Sequence, residues 1–282
     1  MTHALRWTVG VVAGLAALLP AGSWADSIDR DPSSSCSVRV HYPNPVPAAA
    51  EAFVLAVGTA MSRSNYDFLS AQLASKGYVV VIMDHQPGNL TKTDAGKYRD
   101  CMLLVKSQIG SWLGPVGLGT VAHWIAGGHS AGGQAAQHAV AATPGLADGI
   151  FSIDPYNLSG APRVPGPALY WGFEATTCFV SANDAAKAGY YGTDGRRAFV
   201  RVSRRYSWGP CGYAPKYFHC SFCDGHCPGC TNCMTTPNHF FVDIANSVQR
   251  FVNAAFYGPW SKAALSGSMT TPTTLFVDSD QP

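Results

Sequence analysis

The sequence predicts a single α/β domain with a mostly parallel central sheet and helices on both of its faces. Three observations predict it. Apolar runs of strand length recur along the chain, at 52–57, 78–83, 121–126, 149–153, 167–171 and 197–202. Segments with helical apolar spacing lie between several of them, as parallel strands joined by crossovers require. The chain has 282 residues, of which 47% are apolar, and that is enough for one core of this kind. The same content excludes a disordered chain, which cannot bury enough surface to offset the entropy of ordering. Nineteen basic and seventeen acidic residues leave a net charge of +2, with no dense basic run. A nucleic-acid or anionic-membrane partner therefore has no electrostatic support.

The elements follow in order. Residues 1–25 read as a secretory signal peptide: Arg6, then thirteen uncharged residues to Leu19, then Pro20 and the small residues Ser23 and Ala25 around a cleavage point. An apolar stretch of that length spans about 20 Å as a helix, short of a bilayer core of about 30 Å. Export and a domain spanning 26–282 are the expectation. Only 13% of residues are charged, which fits a secreted surface solubilised by Ser, Thr, Asn and Gly.

Residues 36–42 alternate apolar and polar side chains, as a strand with one wet face does. Residues 52–57 form a buried strand ending at Gly58. Tyr66, Leu69 and Leu73 mark a helix over 64–75, with Ser64 as its expected cap and Gly77 as its stop. Residues 78–83 form the next strand, ending at Asp84-His85, where the polar pair reads as a turn. Residues 94–109 read as a helix, 121–126 as a strand and 132–142 as a helix. Strands at 149–153, 167–171 and 197–202 follow. Residues 243–256 read as the last helix, with Ile244, Val248, Phe251, Val252 and Ala255 on one face. Residues 205–238, rich in Cys, Pro and Gly, read as an elaborated loop within the same domain.

The chemistry centres on Gly128-His129-Ser130-Ala131-Gly132-Gly133. This is Gly-x-Ser-x-Gly between a predicted strand and a predicted helix, the context in which a serine becomes an exposed nucleophile at a sharp turn. Together with Asn65-Tyr66-Asp67-Phe68-Leu69 and the stretch from Leu73 to Asp84, the motif resembles the α/β-hydrolase superfamily. Within it the chain is similar to the branch of chlorophyllases, dienelactone-hydrolase-like esterases and cutinase-type polyester hydrolases. The resemblance covers about residues 36–204 and the last helix. It implies an α/β-hydrolase domain with a Ser–acid–His triad in that chain order, and no cofactor.

Acyl transfer needs two N–H donors for the developing oxyanion. Ala131, after the nucleophile, supplies one. The resemblance places the other near Thr59, with Ala60 as the alternative. Relatives often carry His-Gly at that strand end where this chain has Val57-Gly58; a backbone donor tolerates the change. The acid belongs at a strand end beyond the nucleophile. Asp154, 24 residues after Ser130 and followed by Pro155, occupies the chlorophyllase-like position. Glu174 and Asp184 are the alternatives, at the position used by the polyester-hydrolase branch. The base is His219 first, within Tyr217-Phe218-His219-Cys220, with His239 and His226 as alternatives. His123, His129 and His138 read as motif neighbours or surface positions. Trp171 and Trp208 read as packing residues that could also border an acyl pocket.

All nine cysteines follow residue 25, and six fall between 211 and 233. In an oxidising compartment they read as disulfides, with an odd thiol left over. The spacing of Cys220, Cys223, Cys227, Cys230 and Cys233, with His219 and His226, also suits a zinc site. The expected function is hydrolysis of small or polymeric carboxylic esters. A non-catalytic binding protein on the same fold, or a metal-binding module at 219–233, are the readings of other classes.

Overall fold

The computed structural model describes residues 24–59, 61–84, 94–156, 160–174, 183–203, 206–209, 212–215 and 238–278. Strands β1 (Trp24–Ser33), β2 (Cys36–Asn44), β3 (Ala49–Ala56) and β4 (Val79–Met83) come first, with a 3-10 turn (Arg63–Tyr66) and helix α1 (Asp67–Ala74) between β3 and β4. Then follow α2 (Ala95–Leu113), β5 (Thr120–His129), α3 (Ala131–Ala142), β6 (Gly149–Ile153), β7 (Val164–Pro165) and β8 (Ala168–Phe173). The remainder comprises α4 (Asn183–Gly192), β9 (Thr193–Asp194), β10 (Arg197–Val202), β11 (Tyr206–Gly209), β12 (Gly212–Pro215), α5 (Asn238–Val252), α6 (Lys262–Leu265) and β13 (Thr273–Asp278).

Nine strands form the main sheet in the order β1-β2-β4-β3-β5-β6-β8-β10-β13. The six central strands, from β4 to β10, are parallel. Antiparallel strands close both edges, β2 and β1 on one side and β13 on the other. Two short pairs, β7 with β9 and β11 with β12, lie outside the main sheet.

Both faces of the sheet are covered, as a parallel sheet of continuous apolar strands requires. Side chains alternate across a strand, so β3 sends Val54 and Ala56 to one core and Phe53 and Leu55 to the other. The first core receives α2 through Tyr98, Met102, Val105 and Ile109, along with α3 and α4. The second receives α1 and α5, through Leu69, Leu73, Phe240, Ile244, Val248 and Phe251. Among the described residues no helix is long and apolar enough to cross a membrane.

Several elements differ from expectation. The cap of the turn before α1 is Ser62 in place of Ser64: Ser62 and Asn65 satisfy each other's backbone in a capping box. The last helix starts at Asn238, because Phe240 and Phe241 extend its buried face a turn upstream. It ends in a π-helical turn over Asn253–Tyr257. Strands β1 and β13 were not expected. A disulfide joins Cys36 at the start of β2 to Cys101 on α2, with Cα atoms 5.1 Å apart. It closes a loop of 65 residues, for which the chain-entropy relation gives about 4 kcal/mol. The other seven cysteines and nearly all of the expected signal peptide lie outside the described residues.

Candidate functional site

In parallel sheets, ligands bind beyond the carboxyl ends of the strands where the strand order reverses direction. Here that point lies between β3 and β5. The chain leaves β3 to form β4 on one side, then crosses to form β5 on the other. The ladder between β3 and β5 ends at the pair Ala56↔Gly128. Val57-Gly58-Thr59 leaves one strand there, and His129-Ser130 leaves the other.

Ser130 stands between the last residue of β5 and the first of α3, with φ 53° and ψ −122°. A non-glycine residue in that region stores about 1–3 kcal/mol and persists only where its surroundings over-determine it. They do so here. The Ser130 amide donates to the Ile153 carbonyl at 3.0 Å, and its own carbonyl accepts from Gln134 at 3.1 Å and from Tyr156 at 2.9 Å. The flanking glycines allow the approach. A Cβ on Gly132 would run into the carbonyl oxygen of Ala56, and one on Gly128 would sit 2.8 Å from the Gly132 carbonyl carbon. The first bond of α3 runs from the Gln134 amide to Ser130, so the amide of Ala131 has no acceptor within the helix.

Gly58 lies against Ser130: a Cβ built on it would be 3.3 Å from the serine Cβ and 3.1 Å from Nδ1 of His129. Thr59, next in the chain, is half-buried. Met61 donates back to the Gly58 carbonyl at 3.2 Å and closes the turn. One tyrosine ties the two strand exits together. The Tyr66 hydroxyl accepts from the Gly58 amide at 3.0 Å and lies 2.7 Å from Nδ1 of His129. Both side chains are buried. Tyr66 closes a 3-10 turn whose Arg63 is clamped by Asp84, through the Arg63 amide at 3.0 Å and Nε at 2.8 Å.

Asp154 follows the last residue of β6, which pairs with His129 across the sheet. It is 1% exposed, has φ 43°, and its amide donates to the Trp171 carbonyl at 2.7 Å. It is a buried carboxyl group one strand away from Ser130, at the same end of the sheet. Glu174 lies two strands from Ser130 at the end of β8, in an ion pair with Arg201 at 3.0 Å. The side chain of Asp184 lies outside the described residues. So do His219 and His226, together with the whole 219–233 cluster. His239 is in the first turn of α5, half-buried, where the sequence suggested a loop ahead of the helix. Trp171 is fully buried, donates Nε1 to Ser247 at 3.0 Å and meets Phe240 edge-on, as a packing residue does.

Four residues around the site were not picked out as functional from sequence. In the sequence His129 reads as a motif neighbour, Tyr66 as a position on a helix face and Asp84 as a turn residue, and Arg63 carries no signal. The only local signal was a histidine placed between Gly128 and Ser130, where the tight turn leaves it no room on the surface. Among the described residues no group of three or more His, Cys, Asp or Glu could hold a metal ion. No protein-family model matches the chain, and a search of curated proteins returns no significant relative.

Proposed function

We propose that the chain is a serine hydrolase that cleaves carboxylic esters through an acyl-enzyme intermediate. The observation that carries this reading is Ser130, held at positive φ between a parallel strand and a helix, at the point where the strand order reverses. A strained serine in that place suits a nucleophile, since stored strain concentrates at functional sites.

In this reading Ser130 Oγ attacks the ester carbonyl. A histidine, His219 first, takes its proton and returns it to the departing alcohol. His239 and His226 are the alternative bases. Asp154 holds the imidazole in the required tautomer and supports its charge, with Glu174 and Asp184 as alternative acids. The amides of Ala131 and Thr59 bind the oxyanion, a contribution typically worth 10²–10³ in turnover for each donor. Water activated by the same base then releases the acid. No cofactor or metal enters the cycle. Small-molecule and polymeric esters both fit this chemistry, and the signal-peptide reading of residues 1–25 makes export part of the proposal.

The test is a panel of p-nitrophenyl esters of rising chain length, combined with a fluorophosphonate probe. Labelling is expected at Ser130. Ser130→Ala is expected to lose both labelling and more than about 10³-fold of turnover with its melting temperature kept. Full esterase activity in Ser130→Ala overturns the proposal. Alanine at His219, His226 and His239 in turn identifies the base as the one whose loss approaches that of Ser130.

A further inference from the structure

We infer that Tyr66 is a positioning residue that sets the spacing between the two amides of the oxyanion site, through one hydroxyl shared by Gly58 and His129. The inference rests on the hydrolase reading above. It adds to it a residue outside the triad, to which the resemblance assigns no role.

The argument starts from where backbone pairing stops. The ladder between β3 and β5 fixes the two strands relative to one another as far as Ala56↔Gly128. The two proposed donors lie beyond it: the amide of Thr59 is three residues past Ala56, and that of Ala131 three past Gly128. Oxyanion donors act only when both reach about 2.7–3.1 Å from the same oxygen, so their separation has to be held by something other than the ladder. The Tyr66 hydroxyl bridges that gap. It accepts from the amide of Gly58, the residue before Thr59, and it meets Nδ1 of His129, the residue before Ser130.

One arrangement satisfies both contacts. A tyrosine hydroxyl has one proton to give and lone pairs to receive. With the Gly58 amide donating to the oxygen, the phenolic proton goes to Nδ1, and His129 keeps its own proton on Nε2. Both rings are buried. The tyrosine itself is held firmly. Ser62 and Asn65 cap its 3-10 turn, with the Ser62 amide donating to Asn65 Oδ1 at 2.9 Å. Asp84 grips Arg63 at the turn's first residue through both backbone and guanidinium. The distance between strand exits is therefore referred to a braced side chain.

Tyr66→Phe keeps the ring and removes the bridge. The expected result is a kcat about 10- to 100-fold lower on a p-nitrophenyl ester, with KM within about twofold, because the lost contact serves the transition state. Fluorophosphonate labelling of Ser130 should slow in step. Hydrogen exchange at the Gly58 amide, followed by NMR, should quicken at least about tenfold, since its acceptor is gone. His129→Asn, whose side-chain oxygen can receive the phenolic proton, should lose less turnover than His129→Leu. Turnover in Tyr66→Phe within twofold of the parent overturns the inference, as does a kcat loss without faster exchange at Gly58. If Ser130→Ala is inactive while Tyr66→Phe is unimpaired, this inference alone falls. If the parent hydrolyses no ester, or Ser130→Ala hydrolyses them fully, the hydrolase reading falls and takes the catalytic role of Tyr66 with it.

Discussion

Two tyrosine hydroxyls join β3 to β5, one from each face of the sheet. Tyr98 reaches in from α2, donating to the Val54 carbonyl at 2.7 Å and accepting from the Gly127 amide at 3.0 Å. Tyr66 reaches in from the opposite face and ties Gly58 to His129. Both oxygens accept an amide and lie against a second polar atom. Their heights differ. Tyr98 acts inside the ladder, at the level of Leu55↔Gly127, where the bonds it completes belong to the sheet. Tyr66 acts past the last pair, where the chain is already turning. Burial pushes the Tyr98 phenol well above its ordinary pKa, so it stays a neutral donor at any pH the fold survives. The lesson is that the same group serves the sheet at one level and the strand exits two residues further along β5.

The largest expected effect removes both bridges together. Gly132→Ala drives a methyl group into the Ala56 carbonyl and forces α3 away from β3. Loss of more than about 4 kcal/mol is expected, seen as little folded protein by circular dichroism and poor soluble yield. Next is the disulfide, which anchors only the side of Tyr98. Replacing Cys36 and Cys101 by serine together should cost about 4 kcal/mol in a guanidinium titration, while the folded fraction keeps its turnover.

Tyr98→Phe sharpens the comparison most directly. It leaves the Gly127 amide and the Val54 carbonyl short of a partner and should cost about 1–3 kcal/mol with kcat unchanged, the reverse of the pattern expected for Tyr66→Phe. The smallest effect is on the Tyr66 side. His41 is buried under α1 with Nε2 3.2 Å from Asp67, the first residue of that helix, and burial holds its pKa below the usual value despite the nearby carboxylate. The unfolded chain then binds the proton first, so stability present above about pH 6.5 declines as pH falls from there towards the folded value. The decline should be about 1 kcal/mol or less between pH 7.5 and 5.5. His41→Gln should flatten it in melts compared at the two pH values.

Legibility in the sequence followed locality. The central strands announced themselves as apolar runs because both of their faces are covered; 149–153 and 197–202 match β6 and β10. The edges gave no such signal. β1 carries Asp26, Asp29, Arg30 and Asp31, and its Asp29 finds Arg39 of β2 at 2.9 Å, a pairing that no run of residues reveals. β13 is similarly mixed, with one face towards solvent. The turn at Ser130 is readable because its glycines and its serine lie within six positions of one another. The link from Tyr66 to His129 spans 63 residues and depends on two strand exits meeting, which periodicity does not encode. Asp84 looked like any polar residue ending a strand until Arg63 came to lie beside it. Nine cysteines left the partner of Cys36 undetermined, since spacing does not fix connectivity.

The backbone of Ser130 bears on what a stability-minded engineer would find in this chain. Glycine adopts φ near 53° without penalty, so Ser130→Gly is expected to make the molecule slightly sturdier while removing its only hydroxyl at that bend. A library screened for thermal resistance alone would tend to erase the serine. One screened for ester turnover would have to keep it, and the opposite fates of a single codon would separate foldedness from use.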